Sequence, residues 1–469
     1  MYYLILIIIH MFEDKYTKII EPIYGAKRDS DEDEKLTTNV HLFHKYQIKK
    51  RINFCNKNTF SIDPEGCLDA DDAFSIYEED GKLYLAIHIA DPTEYIDINS
   101  ELWEDIKRRT TTKYLSNRKP IHMMPDKVLE LSSLMVNSKG DLKKAITVLT
   151  EIEKDTYTPI NNIQLLFTKL KVKRENAFTY IKASNSNLKE IKIGLIIAEK
   201  LKEIRARKTK GIKLNELSMA YPKYIGDEIY LHVDSEGEKK VKQMIAEFAI
   251  FANSFVGEYL KINLNMGIFR TCQANEWLKN LYSDISPEDM IKEIITNGIQ
   301  ADYLSTAESH DLVGMPEYCH FTSPIRRLAD CICHYLLKYI YLRGKVKCPF
   351  SELELMELAD QCLMATKKDK KNQYLDIKFR LLQVMNKIVE RKSSIIIEYY
   401  ITSYKGLFLN LIISKIDEYN VHMSYTLRVA NYKKEIDAKN KNYLVVSEIN
   451  CFTKYDEGTI PELDNELLN

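Results

Sequence analysis

Ten consecutive residues, Asp63-Pro-Glu-Gly-Cys-Leu-Asp69-Ala-Asp71-Asp72, carry five carboxylates and no basic side chain. Carboxylates this close repel one another, and one must take up a proton unless a cation sits among them. The segment therefore constrains the fold twice, because it needs a rigid mount and a counter-charge. Four aspartates converging on one point offer the hard oxygen ligands that Mg²⁺ prefers, with positions left over for water or a phosphate.

The flanking residues supply the mount. Phe60-Ser-Ile62 reads as a short strand entering the Pro64-Glu-Gly66 turn. Beyond the acidic run, Ala73–Tyr77 and Leu83–Ile89 flank Asp80-Gly81, a strong short-range signal for a hairpin. Asp69 and Asp71, two apart in an extended chain, are expected on one side. An EF-hand is excluded, since the sixth position counted from Asp69 is Phe74 where glycine is required.

At 469 residues the chain can hold one large core and one or two smaller domains. A net charge of −1 gives no global nucleic-acid signature, so any basic surface must be local. It is local: residues 169–213 hold fourteen Lys/Arg against four Glu. The nine cysteines lack zinc-site spacing and suit reduced thiols in a cytoplasmic protein. The apolar residues 1–9 are too short to span a bilayer and lack the basic flank of a secretory signal, so no membrane association is expected.

Along the chain, residues 26–35 are a charged run with loop character. Helical periodicity dominates from about 186 to 262, a third helix is expected from Pro324 to Arg343, and a fourth from Ser351 to about Lys392. The Lys-Lys-Asp-Lys-Lys371 run reads as a solvated helix face. Residues 395–455 alternate β-branched and aromatic side chains and predict a small β-rich domain.

A second constellation lies about 250 residues beyond the first. Tyr318-Cys-His-Phe-Thr-Ser-Pro-Ile-Arg-Arg327 places hydroxyls before Pro324, which suits a first helical turn. Thr322 or Ser323 is expected to cap that helix, whose amides would form a phosphate site with Arg326 and Arg327. Metal ligands in one segment and arginines in another are what phosphoryl chemistry needs, because its transition state gathers charge on non-bridging oxygens.

Together the two segments resemble the RNB family, the catalytic domain of ribonuclease II, ribonuclease R and the exosome-associated exonucleases. The family's aspartate signature is matched by Ile62-Asp-Pro-Glu-Gly-Cys-Leu-Asp-Ala-Asp-Asp-Ala73, and its next strand by Ile87-His-Ile-Ala-Asp-Pro92. Arg108-Arg-Thr-Thr-Thr-Lys-Tyr-Leu115, Met123-Met-Pro125 and His320-Phe-Thr-Ser-Pro-Ile-Arg-Arg327 match further elements in order. The resemblance implies an α+β RNB catalytic domain, a mixed sheet with surrounding helices, followed by a small β-rich, S1/OB-like domain. It implies Mg²⁺-dependent, hydrolytic 3′→5′ degradation of single-stranded RNA to 5′-monophosphates, with a two-metal site and Mn²⁺ as a substitute ion. Asp63, Asp69 and Asp72 match metal ligands, and Asp71 the aspartate needed for catalysis. Arg326 matches the arginine on the scissile phosphate. Tyr114 matches an aromatic residue that holds the terminal bases. Arg327, His320, Thr322, Ser323 and Glu247 are further expected RNA contacts, with Tyr180 and Tyr303 also of interest.

The chain also departs from the family pattern. About fifty residues precede the catalytic region, too few for the usual pair of cold-shock domains. Ala246 replaces one acid of the family's paired glutamates, and Leu328 and Tyr335 replace a common Tyr and Arg. The expected division is a 1–49 extension without complete cold-shock domains, a 50–394 catalytic domain and a degenerate S1-like 395–469 domain. The expected protein is a monomer acting on single-stranded RNA, with an RNA-decay complex as a possible setting. The alternative is a catalytically idle RNB-fold protein that binds RNA or serves as a scaffold in such a complex; the four retained aspartates argue against it.

Overall fold

The computed structural model describes residues 28–447 apart from 29, 41–42, 115–118, 136–141, 210–218, 227, 275–293, 296–298, 429–435 and 438–439. The apolar opening of residues 1–9 and the tail beyond 447 lie outside the described residues. The fold is α+β, with helices packed around a central sheet and a β-rich C-terminal region.

A helix, Ser30–Thr37, forms where the charged 26–35 run predicts a loop, and the strands that follow are β1 (Ile52–Asn53), β2 (Ser61–Asp63), β3 (Asp72–Glu79), β4 (Lys82–Ala90), β5 (Lys143–Ile152), β6 (Gln164–Leu170) and β7 (Ala177–Thr179). Five of these form the central sheet in the order β1-β6-β5-β4-β3, while β2 pairs with β7. The β3–β4 hairpin turns through Asp80 (φ 49°) and Gly81 (φ 74°). Two positive φ angles in succession match the right-handed twist of the strands, which is why Asp-Gly serves here. The acidic segment lies between β2 and β3, so strands hold both its ends.

The expected long helical stretch is interrupted. Helices Lys189–Thr209 and Glu236–Leu264 are separated by a hairpin of β8 (Tyr221–Ile225) and β9 (Glu228–His232). Gly226, at φ 59°, makes that turn, and Pro222 could not lie within a helix without breaking it. Two short strands follow, β10 (Phe269–Thr271) paired antiparallel with β11 (Asp302–Leu304).

The third helix begins at Leu328, not Pro324, and runs to Tyr341. Residues 323–326 form a tight turn, in which the N–H groups of Arg326 and Arg327 both donate to the Ser323 carbonyl. Arg327 is the N-cap, so neither Thr322 nor Ser323 caps the helix. The reason is local: the carboxylate of Asp330 takes the Ser323 N–H at 2.7 Å and fixes the turn in place.

The fourth helix, Glu352–Lys392, is 41 residues long and starts with a Ser351/Glu354 capping box. It joins two hydrophobic cores. Leu355, Leu358 and Cys362 pack with the central sheet and with Trp103 and Tyr335. Leu381, Val384 and Val389 pack against the sheet of β12 (Ile395–Lys405), β13 (Phe408–Ile416), β14 (Tyr419–Arg428) and β15 (Asn442–Val446), ordered β14-β13-β12-β15. The eight cysteines among the described residues are all free. Among the described residues, no helix is long and apolar enough to cross a membrane.

Candidate active site

The acidic segment opens onto a cavity of about 1000 Å³ lined by Asp63, Asp69, Asp71, Asp72, Tyr114, Tyr180 and Arg326. Asp63 closes β2 and Asp72 opens β3, so the backbone hydrogen bonds of two strands fix both carboxylates. Asp71 is held from the far segment: its Oδ1 accepts the Ile325 N–H at 2.8 Å, and its Oδ2 accepts Arg326 Nε at 3.1 Å. Arg326 also donates through Nη2 to Ser323 Oγ at 2.9 Å, while its side chain keeps 41 % of its surface exposed to the cavity side. Asp69 accepts the Tyr114 hydroxyl at 2.6 Å, and His122 Nδ1 stands 3.8 Å from the same oxygen.

The carboxylates are short of positive charge. Burial, with Asp72 and Asp69 nearby, pushes the Asp63 carboxyl up to about 7. Burial likewise raises Asp72 to about 6 against the pull of Arg326. Asp71 is raised well above the carboxylate range by burial, although Arg326 and the Ile325 amide oppose it. Asp63 Oδ2 is buried and accepts no hydrogen bond. An orphaned carboxylate oxygen among raised carboxyls is a polar group that costs free energy until a partner arrives. Hard oxygen donors short of cationic charge fit a divalent ion such as Mg²⁺. The aspartates are nonetheless spread around the cavity: among the described residues, the one trio of ligand atoms within 4.8 Å of one another is His232, Asp234 and Glu238.

The remaining expected contacts lie away from the cavity lining. Arg327 turns to Asp330, donating Nε at 2.8 Å and Nη2 at 2.9 Å to its two oxygens. Thr322 Oγ1 is buried and accepts Asn253 Nδ2 at 3.3 Å. His320 meets the Tyr303 hydroxyl at 2.5 Å, and burial beside Arg327 holds its pKa well below the usual histidine range. Glu247 pairs with Arg205 at 2.6 Å and lines a separate cavity of about 600 Å³. Ile245 of the same helix lines the acidic cavity instead. Two residues along a helix means a rotation of about 200°, which puts Glu247 on the opposite face.

Three supporting residues escaped sequence reasoning. Asp330 organises the arginine turn. Asn253 reaches the same loop from helix Glu236–Leu264, accepting the Phe321 N–H at 2.8 Å. Gly257 lets that helix approach closely, since a Cβ there would stand 3.1 Å from the Tyr318 nitrogen. Each signal is a single polar or small residue inside a helical pattern, legible only once its partner is known.

Residues 51–343 match the model of the RNB domain, and the chain belongs to that family. It is 27 % identical over 385 residues to the human exosome complex exonuclease RRP44, covering 70 % of this chain and 38 % of that protein. It is 25 % identical over 387 residues to ribonuclease R of Ureaplasma parvum, covering 71 % of this chain and 52 % of that one. The chain thus spans about half or less of the length of these curated relatives. Among solved structures, Mycoplasma genitalium RNase R bound to ribose-methylated single-stranded RNA superposes with a TM-score of 0.71 at 17 % identity, covering 92 % of this chain and 75 % of that one. Yeast Ssd1, a pseudonuclease, superposes with a TM-score of 0.64 at 16 % identity, covering 86 % of this chain and 56 % of that one.

Proposed function

We propose that the chain is a divalent-metal-dependent 3′→5′ exoribonuclease that hydrolyses single-stranded RNA to nucleoside 5′-monophosphates. The observation that carries this reading is the meeting of Asp71 with Arg326 and the Ile325 amide at the acidic cavity. Cation-binding carboxylates and a phosphate-binding guanidinium there face one space. The names of the ribonuclease R and exosome relatives support the same reading.

In this account Asp63, Asp69 and Asp72 hold Mg²⁺, or Mn²⁺ in its place, with Asp71 completing a two-ion site. Bound metal would supply an activated water and charge stabilisation at the leaving oxygen. Arg326 places its guanidinium on the non-bridging oxygens of the scissile phosphate, oriented by Asp71 and Ser323. Arg327 acts indirectly, since its ion pair with Asp330 shapes the turn that carries Arg326. Tyr114 and Tyr180 offer aromatic surface for the terminal bases, and the 2′-hydroxyl separates RNA from DNA. The 395–446 sheet takes the role of a degenerate S1-like domain behind the 50–394 catalytic domain.

A second reading is an idle RNB protein that binds RNA without cutting it, favoured by the likeness to the pseudonuclease Ssd1. Incubation of a 5′-labelled single-stranded RNA with Mg²⁺, with EDTA, and beside the same DNA separates the two. The nuclease reading expects metal-dependent shortening to a small 5′ fragment with DNA spared. Retained RNA binding without products would establish the second.

A further inference from the structure

A basic groove of about 750 Å³ shares no lining residue with the acidic cavity. Its walls carry Lys49, Lys50, Lys144 and Lys169 around Arg51, and Glu94 is its one acid. That glutamate is already committed. It pairs with Arg51 at 2.6 Å and Lys338 at 3.0 Å, and accepts the Ile48 N–H at 3.2 Å. Lys144 also pairs with Glu94, at 3.6 Å, and its ammonium lies 4.9 Å from the centroid of the Tyr95 ring. Glu94 is thus shared by Arg51, Lys338 and Lys144, and the groove lining, five basic residues against one acid, keeps an excess of positive charge centred on Lys49, Lys50 and Lys169.

The strand register sharpens the point. Lys144 of β5 lies directly opposite Lys169 of β6. Like charges facing across an antiparallel pair destabilise a sheet. On its other side Lys169 faces Asn53 of β1, so no acid relieves it there. Glu94 answers Lys144, but no acid faces Lys169 across either neighbouring strand, and at Lys169 the broken rule points to something outside the fold. Beside the lysines, the Phe43 ring is 66 % exposed, with the Lys49 ammonium 5.1 Å from its centroid. A basic track with an exposed aromatic face is what a nucleic-acid single strand requires, phosphates along the charge and a base on the ring.

We propose that this groove is a docking track for single-stranded RNA, holding a stretch of the strand away from the acidic cavity where its 3′ end is processed. The proposal rests on the exoribonuclease reading for its choice of RNA over an acidic protein. Backbone continuity ties the two places, for the Asp71 carbonyl accepts the Ala90 N–H at 2.7 Å at the end of β4, from which the chain runs on to Glu94.

The test is RNA binding in EDTA, where nothing is cut, by wild type and by the variant Lys49→Ala, Lys50→Ala, Lys169→Ala. Two RNAs are compared, one of about 5 nucleotides and one of about 25, longer than the ~4–16 that one such groove covers. The proposal expects the variant to lose roughly tenfold affinity for the long RNA. Its log K against log salt slope should fall by about 2, at ~0.7 per lost phosphate contact. Short-RNA binding should hold. Lys169→Thr alone should weaken long-RNA binding while raising the thermal midpoint, which separates function from misfolding. Unchanged long-RNA affinity and slope, with wild type binding RNA, would overturn this proposal and leave the exoribonuclease reading standing. Wild type that binds neither RNA would overturn both. Loss of polyglutamate binding with long-RNA binding intact would reassign the groove to an acidic protein and overturn the RNA track.

Discussion

Arg326 Nε donates to Asp71 Oδ2 at 3.1 Å across 255 positions of sequence. This contact joins the two constellations, and the amide of Ile325, donating to the other oxygen of Asp71, makes the junction two-pronged. The arginine turn is thus docked on the acidic segment through one carboxylate.

Substitution at either end of that contact is expected to affect turnover more than binding. Asp71→Asn keeps an oxygen for the Ile325 amide while removing the charge, so RNA should still bind and turnover should be largely lost. Arg326→Ala should lower kcat by about 10²–10³-fold, the scale for losing one donor to developing oxyanion charge. Steady-state kinetics on a labelled oligomer check both, and near-wild-type kcat in either variant would contradict the roles assigned here.

Tyr114 makes two separable contacts, a hydroxyl that donates to Asp69 and a ring that lines the cavity. Tyr114→Phe should shift the metal concentration needed for activity and leave the final fragment length alone. Tyr114→Ala should change that fragment's length, since stacking on one ring is worth about 1–3 kcal/mol per base. Gel analysis of the limit digest distinguishes the two variants.

Metal binding should be linked to protons. With Asp63 raised to about 7 and Asp72 to about 6 in the metal-free protein, a cation entering near neutral pH must displace protons. Apparent metal affinity should therefore weaken as pH falls from about 8 to 6, with proton release visible by calorimetry in buffers of different ionisation enthalpy. The sign for stability follows from the same values. A carboxyl raised on folding contributes stability below its unfolded pKa and loses it as pH rises through the folded one. Added Mg²⁺ should accordingly raise the unfolding midpoint more at pH 8 than at pH 5. A metal affinity flat across this range would contradict the charge deficit.

Gly257→Ala should destabilise the protein by about 1–3 kcal/mol, the usual cost of forcing a methyl into a packed contact. The new Cβ would press on the Tyr318 and Cys319 backbone just ahead of the arginine turn. Chemical denaturation measures the loss, and kcat should fall with it because the turn is displaced.

Local sequence suffices where a few adjacent residues decide the outcome. Asp80-Gly81 needs positive φ twice and makes its hairpin; Ser351 and Glu354 satisfy each other's orphan groups and start their helix. Local sequence does not suffice where tertiary partners decide. Thr322 and Ser323 have the chemistry of a cap, but Asp330, seven residues on, claims the Ser323 amide and moves the helix start. The β8–β9 hairpin was hidden inside apolar spacing that also fits a helix, although Pro222 and Gly226 marked it. The clustering of the aspartates, and of Arg326 with Arg327, was legible as local charge. The destination of Glu247 was not, since its helix face depends on packing against Arg205.

The most direct test of the central claim follows the 3′-terminal nucleotide itself. An RNA labelled at its last internucleotide phosphate is incubated with wild type and with Asp71→Asn in Mg²⁺, and the released label is identified. The account predicts metal-dependent release of a nucleoside 5′-monophosphate by wild type and almost none by Asp71→Asn. Internal fragments in place of mononucleotide, or equal release by the two proteins, would contradict it.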